Sequence, residues 1–125
     1  MNNHEIEDAI RKLRYQIKIL GEAIDFRQKP IESLILEMDW DEGDISKVHD
    51  VFEKWDNALH KKVKLTSGAF ENDFKALNID YQTLKSVILA FYRNGQWMEV
   101  CKAYVDSFNG SPPLEYHRIM RGEMD

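Results

Sequence analysis

The chain has little of what covalent stapling and active-site chemistry are usually built from. Its 125 residues include one cysteine, three prolines and six glycines. With Cys101 alone, an intrachain disulfide is excluded, as is a zinc site of the usual multi-cysteine type. The glycines are too scattered for a phosphate loop, and neither Ser67 nor Ser86 stands in a nucleophile elbow. No apolar run approaches the ~18–20 residues that span a bilayer. The start, Met1 to Asp8, lacks the basic residues and continuous apolar stretch of a signal peptide. These absences lead us to expect a cytoplasmic protein with no membrane contact and no cofactor.

A cationic surplus is also missing. The formal charge is −5, and it is unevenly placed. Residues 1–60 hold 14 acids and 8 bases, residues 61–102 hold 4 acids and 7 bases, and residues 103–125 hold 4 acids and 2 bases. Such a molecule is poorly suited to general phosphate binding, so direct nucleic-acid contact is not expected. The acidic first half instead favours a basic protein partner.

What is present is helical patterning. A composition of 43% hydrophobic and 31% charged residues is that of a soluble globular chain rather than a disordered one. Ile6, Ile10, Leu13, Ile17, Leu20 and Ile24 recur at alternating spacings of four and three, which predicts a helix from about Glu5 to Phe26 with Gly21 its weak point. Ile10, Ile17 and Ile24 with Leu13 and Leu20 fit the a and d positions of a parallel two-stranded coil, although the flanking positions lack paired opposite charges. A helix packed within its own chain is the plainer reading.

Five more helices follow by the same logic. Pro30 can open the second, with Ile31, Leu34, Ile35 and Met38 on one face. Asp41 can cap a third that carries Ile45, Val48, Phe52, Trp55 and Leu59 and ends in the basic run of Lys61, Lys62 and Lys64. Thr66 or Ser67 can cap a short fourth with Phe70, Phe74 and Leu77, and Asp80 a fifth with Tyr81, Leu84, Val87, Ile88 and Phe91. Asn94-Gly95 closes the fifth, and Trp97, Val100, Cys101, Tyr104, Val105 and Phe108 make a sixth. We therefore expect an all-α, compact single-domain bundle of about six helices over residues 1–109. Residues 110–125, beyond Pro112-Pro113, are expected to form a mobile C-terminal tail.

Several pieces together resemble the YhaI-like family of small helical proteins from Gram-positive bacteria. They are Ile6 to Leu20, Asp25-Phe26, Pro30 leading to Leu34-Ile35-Leu36, Asp41 to Val48, and the segment from Ala90 to Val100 within Leu84 to Val105. The resemblance covers roughly residues 6–106 and rests on the order and spacing of the helices. It implies an all-helical, self-associating fold with no catalytic residues to carry over. The extension after Asn109 departs from the family pattern.

Candidate chemistry is weak beside the helical signal. His49, Glu53, Asp56 and His60 share one face of the third helix, but that face is ~16 Å long, so one metal ion could take only two adjacent members. A solvated face with i,i+4 partners outweighs a metal site. The run from Ala76 to Lys85 has the layout of a helix-turn-helix offering Tyr81, Gln82, Thr83 and Lys85, yet its second helix adds only Arg93 as a further base. Cys101 reads as a small core residue. Trp40, between the second and third helices, either staples that turn or anchors a contact.

The leading expectation is a non-enzymatic protein-protein interaction module that self-associates, as a homodimer, through Ile10, Leu13, Ile17, Leu20, Ile24 and Trp40. The alternative is a regulator or inhibitor of a nucleic-acid-acting protein, such as a repressor or a toxin ribonuclease of a toxin-antitoxin pair, chromosomal or phage-related. In that role Glu32, Glu37, Asp39, Asp41, Glu42 and Asp44 would stand in for phosphates.

Overall fold

A computed structural model describes residues 1–123. The helices run α1 Asn3–Glu22, α2 Pro30–Met38, α3 Glu42–His60, α4 Ser67–Lys75, α5 Tyr81–Arg93, α6 Met98–Asp106 and α7 His117–Met120, with a 3-10 turn over Leu114–Tyr116 before the last. No strand occurs among the described residues, so the fold is all-α.

The helix starts follow local chemistry. Pro30 sits at the first turn of α2, where no N–H is lost. Asp41 and Asp44 form a reciprocal capping box on α3: the Asp44 N–H donates to Asp41 Oδ1 at 2.8 Å, and the Asp41 N–H donates to Asp44 Oδ2 at 3.0 Å. Asp80 accepts from the Thr83 N–H at 2.7 Å to cap α5. These backbone hydrogen bonds hold both the Asp41 and Asp80 carboxyls below the ordinary aspartate value of 3.8. Thr66 occupies the cap position of α4 without making a side-chain cap. Gly95, at φ +70°, closes α5 in the left-handed conformation that its missing Cβ permits.

α5 is the centre of the bundle, packed by α2, α4, α6 and the 3-10 turn. Its Leu84, Val87, Ile88, Ala90, Phe91 and Tyr92 are buried. Phe52 of α3 is fully buried in an aromatic cage, with ring centroids of Phe91, Phe74, Trp97 and Phe70 at 4.9, 5.5, 6.1 and 6.2 Å. Each such pair adds roughly 0.5–1.5 kcal/mol beyond the area it hides. Cys101 lies in this core, where burial pushes its thiol pKa up and makes it inert.

Two expectations need correcting. Trp97 is not the first residue of α6 but precedes it at φ 53°, a left-handed conformation costly for a bulky side chain. Its indole N–H donates to His49 Nδ1 at 3.0 Å and its ring stacks on Phe52, contacts that hold it there. The domain also does not stop at Asn109. Tyr116 and Ile119 are fully buried, and α7 packs on α6, so the segment expected as a mobile tail is packed into the core and adds a short helix to the expected six among the described residues. The paired prolines end one helix but do not stop the apolar residues beyond them from docking. Residues 124 and 125 of the expected tail lie outside the described residues.

Candidate interaction surface

α1 is built as a good helix and then left uncovered. Asn2 accepts from the Glu5 N–H at 2.8 Å, and Asp8 pairs with Arg11 at 3.1 Å and with His4 at 3.5 Å. These bonds stabilise the helix from within, by a few tenths of a kcal/mol per side-chain pair. None of its residues is buried, and it has no substantial packing against any other helix. Ile6, Ile10, Leu13, Ile17 and Leu20 are 40%, 44%, 56%, 51% and 67% exposed. Isolated exposed leucines are ordinary; here five large apolar side chains share one uncovered face of one helix.

The second half of α1 leans towards α2. Arg14, Ile17, Lys18 and Gly21 face Ser33, Leu36 and Glu37 across an open groove of about 430 Å³. A Cβ added at Gly21 would lie 3.6 Å from Leu36 Cδ1, an ordinary contact, so closeness at this point does not demand glycine. Leu36, itself 44% exposed, extends the apolar stripe sideways. Sequence reasoning missed Leu36 because it lies off the buried face of α2.

Of the six residues singled out as an interface, Ile10, Leu13, Ile17 and Leu20 share the exposed face of α1. Ile24 does not. The helix ends at Glu22 rather than Phe26, and Ile24 sits half-buried in the turn that follows. Trp40 lies elsewhere as well, half-buried against the core and lining, with Val48, Leu77 and Ile79, a cleft between the α2–α3 junction and the α4–α5 turn.

His49 turns inward to Trp97 and to the edge of Phe91. Asp56, His60 and Glu99 bring ligand atoms within 4.8 Å of one another. His60 Nδ1, however, lies 2.7 Å from the Asp56 carbonyl oxygen, which fixes it as a donor and leaves only Nε2, 3.9 Å from Glu99. The backbone carbonyl of Asp56, then the carboxylates of Asp56 and Glu99, raise the His60 pKa above its ordinary 6.5. That is the chemistry of an exposed ion pair.

Lys85 is ion-paired to Glu115 at 2.7 Å and lies over the Tyr81 ring, while Thr83 is engaged in the Asp80 cap. Of the acidic set, Asp41 and Asp44 are spent on the capping box, and Glu32, Glu37, Asp39 and Glu42 remain exposed. No described helix is long and apolar enough to cross a membrane. No protein-family model, curated protein or solved structure matches this chain.

Proposed function

We propose that this chain is a non-enzymatic interaction module whose α1 docks against a second copy of itself. One observation carries the reading: α1 bears a complete apolar seam and buries none of it within its own chain. The seam is flanked by Glu7 and Arg14 on one side and by Ala9 and Gln16 on the other, and a face of that form suits one partner helix rather than the several that surround a core helix. Covering the exposed part of each large apolar side chain gains roughly 1 kcal/mol. Summed over two copies this modestly exceeds the lower estimates of the association cost, about 4–15 kcal/mol, and corresponds to a dimer of micromolar strength or weaker.

Sedimentation equilibrium over roughly 1–300 µM tests this directly, because a dimer of that strength must show a concentration-dependent mass. Ile17→Asp should abolish the concentration dependence while leaving the circular dichroism of the fold unchanged. A wild-type chain monomeric throughout that range overturns the proposal.

The order of the helices, with Pro30 opening the second and Asn94-Gly95 closing the fifth, supports kinship with the YhaI-like family as part of the same reading. The alternative role, occupying a basic nucleic-acid-binding protein, rests on Glu32, Glu37, Asp39 and Glu42 alone. Salt-sensitive binding to a purified basic repressor or ribonuclease, lost when these four are neutralised, would favour it.

A further inference from the structure

We infer that two copies pair through α1 in antiparallel orientation, with each Glu7 beside Arg14 of the second copy. The inference rests on the self-association proposed above and deepens it by fixing direction and register.

The seam places Ile10 and Ile17 at a positions and Ile6, Leu13 and Leu20 at d positions, so that Glu7, Arg14 and Gly21 form one flank and Ala9, Gln16 and Ala23 the other. In a parallel, in-register pair, opposite flanks meet across the seam. The neighbours would be Ala9 with Arg14 and Gln16 with Gly21, and no charge would be answered. The acidic turn of Glu5, Glu7 and Asp8 would also lie beside its own copy, and so would the basic stretch of Arg11, Lys12, Arg14 and Lys18. Like charges within a Debye length of about 8 Å repel. In an antiparallel pair the acidic turn of one copy lies beside the basic stretch of the other.

Two antiparallel registers compete. In one, Ile6 lies over Ile17 and Ile10 over Leu13, each twice, and the equivalent flanks bring Glu7 beside Arg14 twice, with Leu20 over Asn3 at the ends. The other slides the helices by one heptad, puts Ile10 over Leu20 and Leu13 over Ile17, and sets Arg14 against Arg14 at the twofold axis. A helix continuing to Phe26 would favour the second register, because Ile24 would then cover Ile6. The helix ends at Glu22, so that gain is lost and the two registers bury equal numbers of apolar layers. Charge then decides for the first. Among the described residues neither Glu7 nor Arg14 enters an ion pair within its own chain, so both are available for the cross-pair.

The test uses the full chain with a nitroxide on a single introduced cysteine, Lys12→Cys or Lys18→Cys. Cys101 is fully buried and escapes labelling in the folded protein. In the inferred register position 12 lies near the twofold axis, and the two copies of position 18 stand about 20 Å apart along the helix direction. The Lys18→Cys pair should therefore show the longer distance by pulsed electron paramagnetic resonance. Equal distances for the two variants mean a parallel pair or the other register and overturn the inference while leaving self-association intact. In parallel, Glu7→Arg and Arg14→Glu should each weaken dimerisation roughly five- to tenfold, and the double swap should restore it. Additive losses overturn the Glu7–Arg14 pairing. No dimer at all in the unsubstituted chain removes the self-association proposal as well.

Discussion

α1 and α5 carry apolar residues at the same helical spacing and end in opposite surroundings. In α5 six residues are buried, and helices stand on several sides of it; in α1 none is buried. The inward set of α5 is wide, with Leu84, Val87, Ile88 and Phe91 joined by Ala90 and Tyr92, so α2, α4 and α6 can all pack on it. The set on α1 is a seam one helix wide. Periodicity reports that a face exists; the width of the face reports how many neighbours it can take.

The sharpest way to break this comparison is truncation of one side chain in each helix. Phe91→Ala should cost about 3–5 kcal/mol of unfolding free energy, because the ring is fully buried against Phe52 and His49 and leaves a cavity. Leu13→Ala, measured by urea unfolding at concentrations where the chain is monomeric, should cost under about 0.5 kcal/mol. Comparable losses would mean that α1 is packed after all.

Next in size is the C-terminal segment, which belongs with α5 rather than with α1. Ile119→Ala should cost about 2–5 kcal/mol by the same measurement, and a chain ending at Asn109 should melt at a much lower temperature. A truncated chain as stable as the whole would return residues 110–123 to the status of a tail.

A smaller effect of opposite sign sharpens the picture of that segment. Among the described residues the buried Tyr116 hydroxyl has no partner in hydrogen-bond geometry, while the Tyr104 hydroxyl beside it donates to Glu71 Oε2 at 2.6 Å. Tyr116→Phe removes an unsatisfied buried group and should raise stability by about 1 kcal/mol in urea unfolding. Tyr104→Phe leaves Glu71 without its donor and should lower it. If both changes destabilise, the Tyr116 hydroxyl has a partner.

The smallest effects are electrostatic and separate the capped helices from α1. The folded-state pKa values of Asp41 and Asp80 lie below 3.8, so their stabilisation is complete above about pH 4 and drains away as the pH falls through the folded values. His60, raised above 6.5, behaves in the opposite sense: its contribution is complete below that value and fades as the pH rises through the folded one. Thermal melts of Asp41→Ala and Asp80→Ala should therefore lose part of the acid-side dependence. His60→Gln should flatten the slope between neutral and mildly alkaline pH.

The reading of the chain by spacing succeeded where the signal was local. Pro30, Asp41, Asp80 and Asn94-Gly95 mark boundaries because a fixed φ, a capping carboxylate or a missing Cβ acts on the few residues beside it. It failed where a distant partner decides. Ile24 kept the spacing of the stripe, but the chain turns after Glu22 towards Pro30 and leaves the helix. Trp97 looked like a helix residue until His49 and Phe52, far away in sequence, drew it into a left-handed cap. Leu36, facing the groove beside α1, has no periodic marker at all.

What the sequence by itself determined is the all-α class, the order of the first six helices and the chemistry of the ends marked by Pro30, Asp41, Asp80 and Asn94-Gly95, all consequences of interactions within a turn or two of helix. Only the tertiary structure decided which apolar faces the chain could cover. Burial needs a neighbour at the right place, and that is a property of the whole packing. Thus α5 is enclosed, Tyr116 and Ile119 are drawn into the core from beyond two prolines, and α1 is left with its seam exposed.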